Sequence, residues 1–239
     1  VTKMAFIYRC QLELHDSLYF ATREIGRLYE TEPVIHNYAL CYALGIVDSE
    51  IYATTVAEEH SYRYFCPEQV PKYQEHLTPL NQAGIYITPA RSLNHTAVLH
   101  TWKYANNNYH VEMEKTQKNI PSFGRAKEIA AESKFEFFVI SRQKPLKFRR
   151  WIRLGKWASK AEVKVEETQE VNASSSEENF SFAYPLNPLD VMFSHQVLTY
   201  DTVNMPPVSL IQNVRMQGYF YRFNDKLKLP ALMEYRFTA

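Results

Sequence analysis

The reading of the chain turns on MAFIYRCQLELHDSLYFATREIGRLYETEPVIHNYALCYALG, residues 4–45. Met4, Phe6, Tyr8, Cys10, Leu12 and Leu14 share one parity and Arg9, Gln11 and Glu13 the other. That is the period of a strand with one buried face. A turn starting at His15-Asp16 follows and carries Arg23 and Arg27 around Gly26. Pro33 is then expected to open a helix, with Thr31 as its cap and Gly45 as its stop. Between them, residues 34–44 are apolar almost all round, so the helix should be buried.

At 239 residues the chain is long enough for one large domain with a core. A hydrophobic content of 46% with 22% charged residues is an ordinary globular balance, and the net charge of +1 excludes a strongly basic nucleic-acid binder. Any such role has to come from local clustering of charge. The 17 Tyr and 14 Phe read mainly as core and sheet packing; the other reading is a stacking surface for bases or a partner protein. Cys10, Cys41 and Cys66 are odd in number and widely spaced, which fits reduced core thiols and neither a disulfide framework nor a zinc site. No leader or apolar run near the ~18 residues of a membrane span is visible, so a cytoplasmic protein with no membrane contact is expected.

Outward from the opening stretch, residues 48–79 read as an irregular insertion with a short strand near Tyr62. Residues 84–88 and 95–104 read as strands, the second with Val98, His100, Trp102 and Tyr104 on one face. Asn106-Asn107-Asn108 is a loop tip, and residues 100–120 suggest a projecting hairpin or arm. A short helix is expected over 125–131, and KFEFFVIS (134–141) is the clearest strand of the middle. Residues 166–179, acidic and Ser-rich, read as a mobile surface loop. The tail alternates over 214–221, turns at Asn224-Asp225, and alternates again at Met233, Tyr235 and Phe237, a C-terminal hairpin. Strands with two modest helices and no repeated βα units indicate an α+β fold.

Residues 142–164 hold the main charge feature. Arg142, Lys144, Lys147, Arg149, Arg150, Arg153, Lys156, Lys160 and Lys164 stand against the single acid Glu162, interleaved with Phe148, Trp151, Leu154 and Trp157. Lysine and arginine bind phosphates, and aromatic rings stack on single-stranded bases. The segment reads equally as such a surface and as a solvated strand whose tryptophans face the core. Gly26-Arg27 and Gly124-Arg125 add two sites where backbone approaches closely and a guanidinium can grip phosphate. Chemistry finds less support. His15-Asp16 is a lone HD pair without companion ligands; the chain has no HExxH, no GxSxG and no Gly-rich phosphate loop, and neither metal nor other cofactor is expected. Metal-free RNA cleavage needs a base beside the attacking hydroxyl and a cation beside the phosphate; His36, His100, Lys103, Tyr104 or His110 offer such groups.

The run HDSLYFATREIGRLYETEPVIHNYALCYALG (15–45) resembles the Cas-five-like subunit, Csc-one, of type I-D CRISPR effector complexes. PSFGRAKEIAAESKFEFFV (121–139), WIRLGKWASKAEVKV (151–165) and PPVSLIQNVRMQGYFYRF (206–223) extend the resemblance in the same order. The resemblance implies a single RAMP-like RNA-binding domain over 1–239, with a ferredoxin-like, RRM-related core and a β-hairpin thumb. It implies a non-catalytic subunit on the 5′ handle of the CRISPR RNA, beside the end where the protospacer-adjacent motif of target DNA is read. The implied neighbours are a Cas-seven-like backbone subunit and a Cas-ten-like large subunit. Arg23, Arg27, Gly124, Arg125, Lys127, Arg149, Arg150, Trp151, Arg153, Gly155 and Lys156 are the expected RNA contacts. Lys103, Tyr104, Asn107 and His110 are the thumb or DNA-proximal candidates. A metal-independent endoribonuclease acting on precursor CRISPR RNA is the alternative, and a purely structural subunit, its basic segment docked on an acidic partner, is the third.

Overall fold

A computed structural model describes residues 4–47, 71–104, 122–144 and 146–237. The elements in chain order are β1 (Met4–Leu14), β2 (Arg23–Ile25), β3 (Leu28–Glu30), β4 (Val34–Ile35), α1 (Asn37–Ala43), α2 (Tyr73–Ala83), β5 (Ile85–Ile87), β6 (Ala90–Asn94), β7 (Ala97–Tyr104), β8 (Ser122–Ile129), β9 (Lys134–Ser141), β10 (Trp151–Leu154), β11 (Ser159–Asn172), β12 (Glu178–Phe182), α3 (Pro188–Val191), β13 (Gln196–Val203), β14 (Leu210–Gly218), β15 (Phe220–Phe223) and β16 (Leu227–Pro230). The fold is mixed α+β, rich in sheet, with three short helices among the described residues. None of those helices is long and apolar enough to cross a membrane.

The central sheet runs β10-β11-β1-β9-β6-β4, with β5 also on β9, and every pair is antiparallel. From Tyr8 to Leu14, β1 buries alternate residues as its sequence requires. Toward its start Ala5 and Ile7 are buried instead of Met4, because both faces of the sheet are covered there. Phe135, Phe137, Phe138 and Val139 of β9 lie fully inside the core with Cys10 and Cys41; Cys66 lies outside the described residues.

Helix α1 starts four residues later than its sequence suggested. The Nδ1 of His36 accepts from the Tyr38 N–H at 3.2 Å and caps the helix. Thr31 is used elsewhere: its hydroxyl accepts from the Phe20 N–H at 3.0 Å and fixes the loop before the helix. Gly45 does end α1, in the left-handed conformation at φ 71°. Two further expectations are corrected here. Residues 73–79 belong to α2 and not to an irregular insertion; Asn81 exchanges bonds of 2.9 and 2.8 Å with the backbone of Tyr235, which docks α2 on the C-terminal segment. The short strand expected near Tyr62 lies outside the described residues. Residues 125–131 form no helix: β8 is hydrogen-bonded to β3 on one side and β7 on the other, and the ladders outweigh local propensity.

The acidic stretch 166–179 is likewise mostly sheet. Its first residues complete the long partner of β1, with Glu167 opposite Arg9, and only 173–177 form the turn into β12. The glutamates point outward along a strand, which makes the sequence read as loop. The C-terminal hairpin is β15–β16, turning at Asn224 and Asp225. Met233 and Tyr235 are buried as their alternation predicted, yet no strand forms there. The Tyr235 hydroxyl accepts from the Ile87 N–H at 2.9 Å, and the Arg236 N–H donates to Asp190 at 3.1 Å.

A second sheet, β2-β3-β8-β7, stands beside the core and carries the candidate site. The loop after β1 joins the two. Leu18 exchanges backbone bonds of 2.7 and 3.0 Å with Ile129 at the end of β8. The carbonyl of Tyr19 accepts from the Lys156 N–H at 2.8 Å in the β10–β11 turn.

Candidate nucleic-acid interface

The two Gly-Arg pairs meet. Gly26, at φ +63°, turns the β2–β3 hairpin and leaves Arg27 exposed. Strand β3 then pairs in parallel with β8, Leu28 opposite Arg125, and the Arg125 N–H donates to the Arg27 carbonyl at 3.0 Å. Gly124 serves packing. A Cβ there would lie 2.5 Å from the indole of Trp102, its cross-strand partner. Trp102 therefore settles over the glycine while Arg125 points to the other face.

Register also decides which cations are available. Arg23, Glu30 and Lys127 fall in one row across β2, β3 and β8. Glu30 accepts from Arg23 Nε at 3.0 Å and from Lys127 Nζ at 3.3 Å, and these partners hold its carboxyl below the usual range. Arg27 and Arg125, exposed on the same sheet, have no acidic partner among the described residues.

The basic-aromatic segment divides in the same way. Arg150 bonds Glu162 at 2.7 Å, with Lys164 at 3.1 Å from the other oxygen, and Glu162 is held low by both. Arg149 lies across the end of α1, with its Nε 2.7 Å from where a Cβ on Gly45 would sit. Arg149 and Arg153 line one cleft with Phe20, Tyr42 and Gly155. Arg153 donates to the Ala158 carbonyl at 3.2 Å and lies 3.8 Å from Asp16. Gly155, at φ +73°, approaches the Tyr19 carbonyl so closely that a Cβ would be 2.6 Å from it. Lys156 is exposed at the tip, with no acidic partner among the described residues.

Trp102, Trp151 and Trp157 are 40%, 45% and 52% exposed, so none faces the core. That removes the reading of 142–164 as a strand with inward tryptophans. Trp157 tilts on Tyr19 at 4.7 Å and meets Trp102 edge-on at 6.4 Å, bridging the two sheets. Lys160 lies 4.3 Å above Trp151, and His15 packs on its edge at 5.1 Å. Trp102 and Trp157 thus link the Gly124 face of the second sheet to the turn that carries Lys156, while Arg125 is exposed on the sheet's other face. Sequence spacing gave the Gly-Arg pairs and Trp157 but did not single out Trp102, whose signal was the facing glycine in a strand.

His15-Asp16 forms a strand-end turn: Asp16 accepts from the Lys160 N–H at 2.9 Å. Among the described residues no three His, Cys, Asp or Glu side chains group to hold a metal. His36 uses both ring nitrogens, Nδ1 for the cap and Nε2 toward the Val208 carbonyl at 3.2 Å, and burial lowers its pKa to about 4. His100 is on the exposed hairpin 3.8 Å from Glu128, whose burial raises its pKa. Lys103 and Tyr104 end the described part of β7, and Asn107 and His110 lie outside the described residues.

The family model described as Type I-D CRISPR-associated protein Cas5/Csc1 matches residues 5–238. No curated protein matches the chain. Among solved structures, it is similar to a chain of the cryo-EM structure of the Type III-B Cmr-beta bound to cognate target RNA, at 14% identity and TM-score 0.39 over 70% of this chain and 61% of that one. A chain of the Cmr-beta structure bound to cognate target RNA and AMPPnP, state 1, is similar at 10% identity and TM-score 0.43, over 87% and 86%. The chain therefore spans less than two thirds of the first of these.

Proposed function

Because this chain belongs to the type I-D Cas5/Csc1 family of CRISPR-associated proteins, we propose that it is a non-catalytic, cytoplasmic subunit of an RNA-guided antiviral surveillance complex. In this reading it grips the 5′ handle of the CRISPR RNA and helps form the end where the protospacer-adjacent motif of target DNA is read. Guide pairing then supplies sequence, and the protein holds backbone and shape. A Cas-seven-like backbone subunit and a Cas-ten-like large subunit are its neighbours.

The observation that carries this reading is the exposed Trp102–Trp157 pair beside Lys156, on a sheet that also exposes Arg27 and Arg125. Cations without an acidic partner among the described residues and exposed indoles are the two kinds of contact that a single strand with phosphates and unstacked bases requires. Arg27, Arg125, Arg153 and Lys156 make the phosphate contacts and Trp102, Trp151 and Trp157 the stacking contacts, while Gly124 and Gly155 act within the protein by seating Trp102 and the Tyr19 carbonyl. Arg149 extends the cleft beside Arg153. Arg23, Lys127 and Arg150, each on a carboxylate, mainly hold the surface in place.

The strand order supports a ferredoxin-like, RAMP-type core. Counting β1, β5 with β6, β9 and β11 as core strands one to four, the sheet reads 4-1-3-2, with α1 and α2 in the first crossover. Residues 142–158 take the place of a second crossover helix. The β7–β8 hairpin is the thumb, with Lys103 and Tyr104 toward its tip. The occupied nitrogens of His36 remove that residue from the candidates for cleavage.

The test is the full chain with labelled repeat RNA in EDTA. Replacing Arg27, Arg125 and Arg153 by Ala should each weaken handle binding and lower the salt slope by roughly 0.7 per lost contact. Unchanged affinity with intact assembly would favour a scaffold, and cleavage abolished by His100→Ala would favour an endoribonuclease.

A further inference from the structure

On the Gly124 face of the second sheet, an exposed histidine stands in front of a buried carboxylate. Register sets the arrangement: Trp102 lies opposite Gly124, His100 opposite Ala126, and Val98 opposite Glu128. His100 and Trp102 therefore share a face, about 7 Å apart along β7. Glu128 lies diagonal to His100, one step further along. Its side chain is 1% exposed against 51% for His100, and His100 Nε2 is 3.8 Å from its Oε2. The other oxygen, Oε1, is buried with no hydrogen-bond partner among the described residues.

Several elements bring titratable groups to this pair. Glu24, Tyr29 and Ala126 continue the row of His100 across β2, β3 and β8. Tyr19 comes from the loop after β1, and burial, then Tyr29, Glu128 and Glu24, raise its hydroxyl above the ordinary range. The β10–β11 turn sets Trp157 against Tyr19 and Trp102, with Lys156 beside it. Asp16 and Arg153, 3.8 Å apart, belong to the same junction. Arg125 and Lys127 of β8 alternate with Gly124, Ala126 and Glu128 and project from the opposite face. Burial raises the carboxyl of Glu128, and His100 is the charge that opposes the rise.

We infer that His100 is a proton-linked phosphate contact of a single-stranded RNA lying on Trp102, with Glu128 as the buried counter-charge behind it. A neutral imidazole has one N–H donor and one acceptor, whereas an imidazolium has two donors. A ring between a carboxylate and a phosphate must donate from both nitrogens, one to Glu128 and one to a phosphate oxygen. Only the charged ring does so, and it takes the second proton from solvent as the strand binds. The charged ring also gives a cation partner to a carboxylate that has lost its water. A base stacked on Trp102 brings its phosphates to this spot, because His100 is the next residue on that face of β7. The inference rests on reading the Trp102–Trp157 surface as a single-strand site. It adds that the grip of that site depends on pH, through the residue type that ordinarily changes charge between roughly pH 5 and 8.

The test uses the full chain with labelled single-stranded repeat RNA, read by anisotropy from about pH 5.5 to about pH 8.5. Affinity should fall as pH rises through the histidine range, by up to about tenfold per pH unit for one proton. The salt slope should be steeper by roughly 0.7 at the acid end. His100→Gln should abolish both effects, and His100→Lys, charged throughout, should keep the acid-end affinity at about pH 8. Glu128→Gln should move the fall in affinity to lower pH, which a role in folding alone would not do. An identical pH profile in the wild type and His100→Gln overturns the inference and leaves the handle reading standing. So does a profile lost with His15→Gln, at the edge of Trp151, and kept with His100→Gln. Cleavage of the RNA that His100→Gln abolishes overturns it in favour of a catalytic histidine. No binding at any pH overturns this inference and the handle reading together.

Discussion

The Arg125 N–H donates to the Arg27 carbonyl at 3.0 Å, so two arginines from distant stretches are fixed side by side by a parallel strand pairing. Glu30 and Lys127 sit opposite each other two residues further along the same pairing. The register that frees one pair of cations commits another to a carboxylate.

Glu30→Gln tests that division. Without its carboxylate, Arg23 and Lys127 lose their shared anchor and can turn to a bound phosphate. Affinity for handle RNA should rise at low salt, with a salt slope steeper by roughly 0.7 for each cation recruited. Anisotropy across a salt series checks it; an unchanged slope would mean that both side chains face away from the RNA.

Gly124→Ala tests the seat of Trp102. A methyl would have to displace the indole it meets at 2.5 Å. Overpacking of this kind costs about 1–3 kcal/mol. Denaturant melts should show that loss, and the tryptophan emission should shift as the Trp102–Trp157 contact opens.

His36 makes the fold sensitive to acid. Its folded pKa is lowered to about 4 by burial, against an ordinary 6.5. The unfolded chain therefore binds the extra proton first, and stability falls as pH drops from about 6.5 to about 4. The total is on the order of 3 kcal/mol. His36→Asn, which keeps a capping acceptor, should be less stable at neutral pH but lose less on acidification. Urea midpoints against pH provide the measurement.

Glu128 acts in the opposite sense. It is buried on the hairpin, one oxygen has no hydrogen-bond partner among the described residues, and its pKa is raised by desolvation, with His100 opposing. The folded state then favours the protonated form, so stability is lost as pH rises through the ordinary carboxyl range toward the folded pKa. Glu128→Gln should raise Tm at neutral pH and leave it nearly unchanged at pH 4. A fall at both pH values would mean that the charge itself holds the hairpin.

Residue pattern by itself determined the strand of Tyr8–Leu14, the buried strand at 134–141 and the stop at Gly45, because each is written in local periodicity or in one residue's backbone freedom. It misjudged 125–131 and 166–179, where polar residues join strands whose partners lie far away in the chain. Only the tertiary structure decided that all three tryptophans are exposed, that the backbones of Arg27 and Arg125 lie side by side, and that Arg23, Lys127 and Arg150 are held by carboxylates. Those outcomes depend on register between distant strands, which sets who lies opposite whom and which no local pattern records.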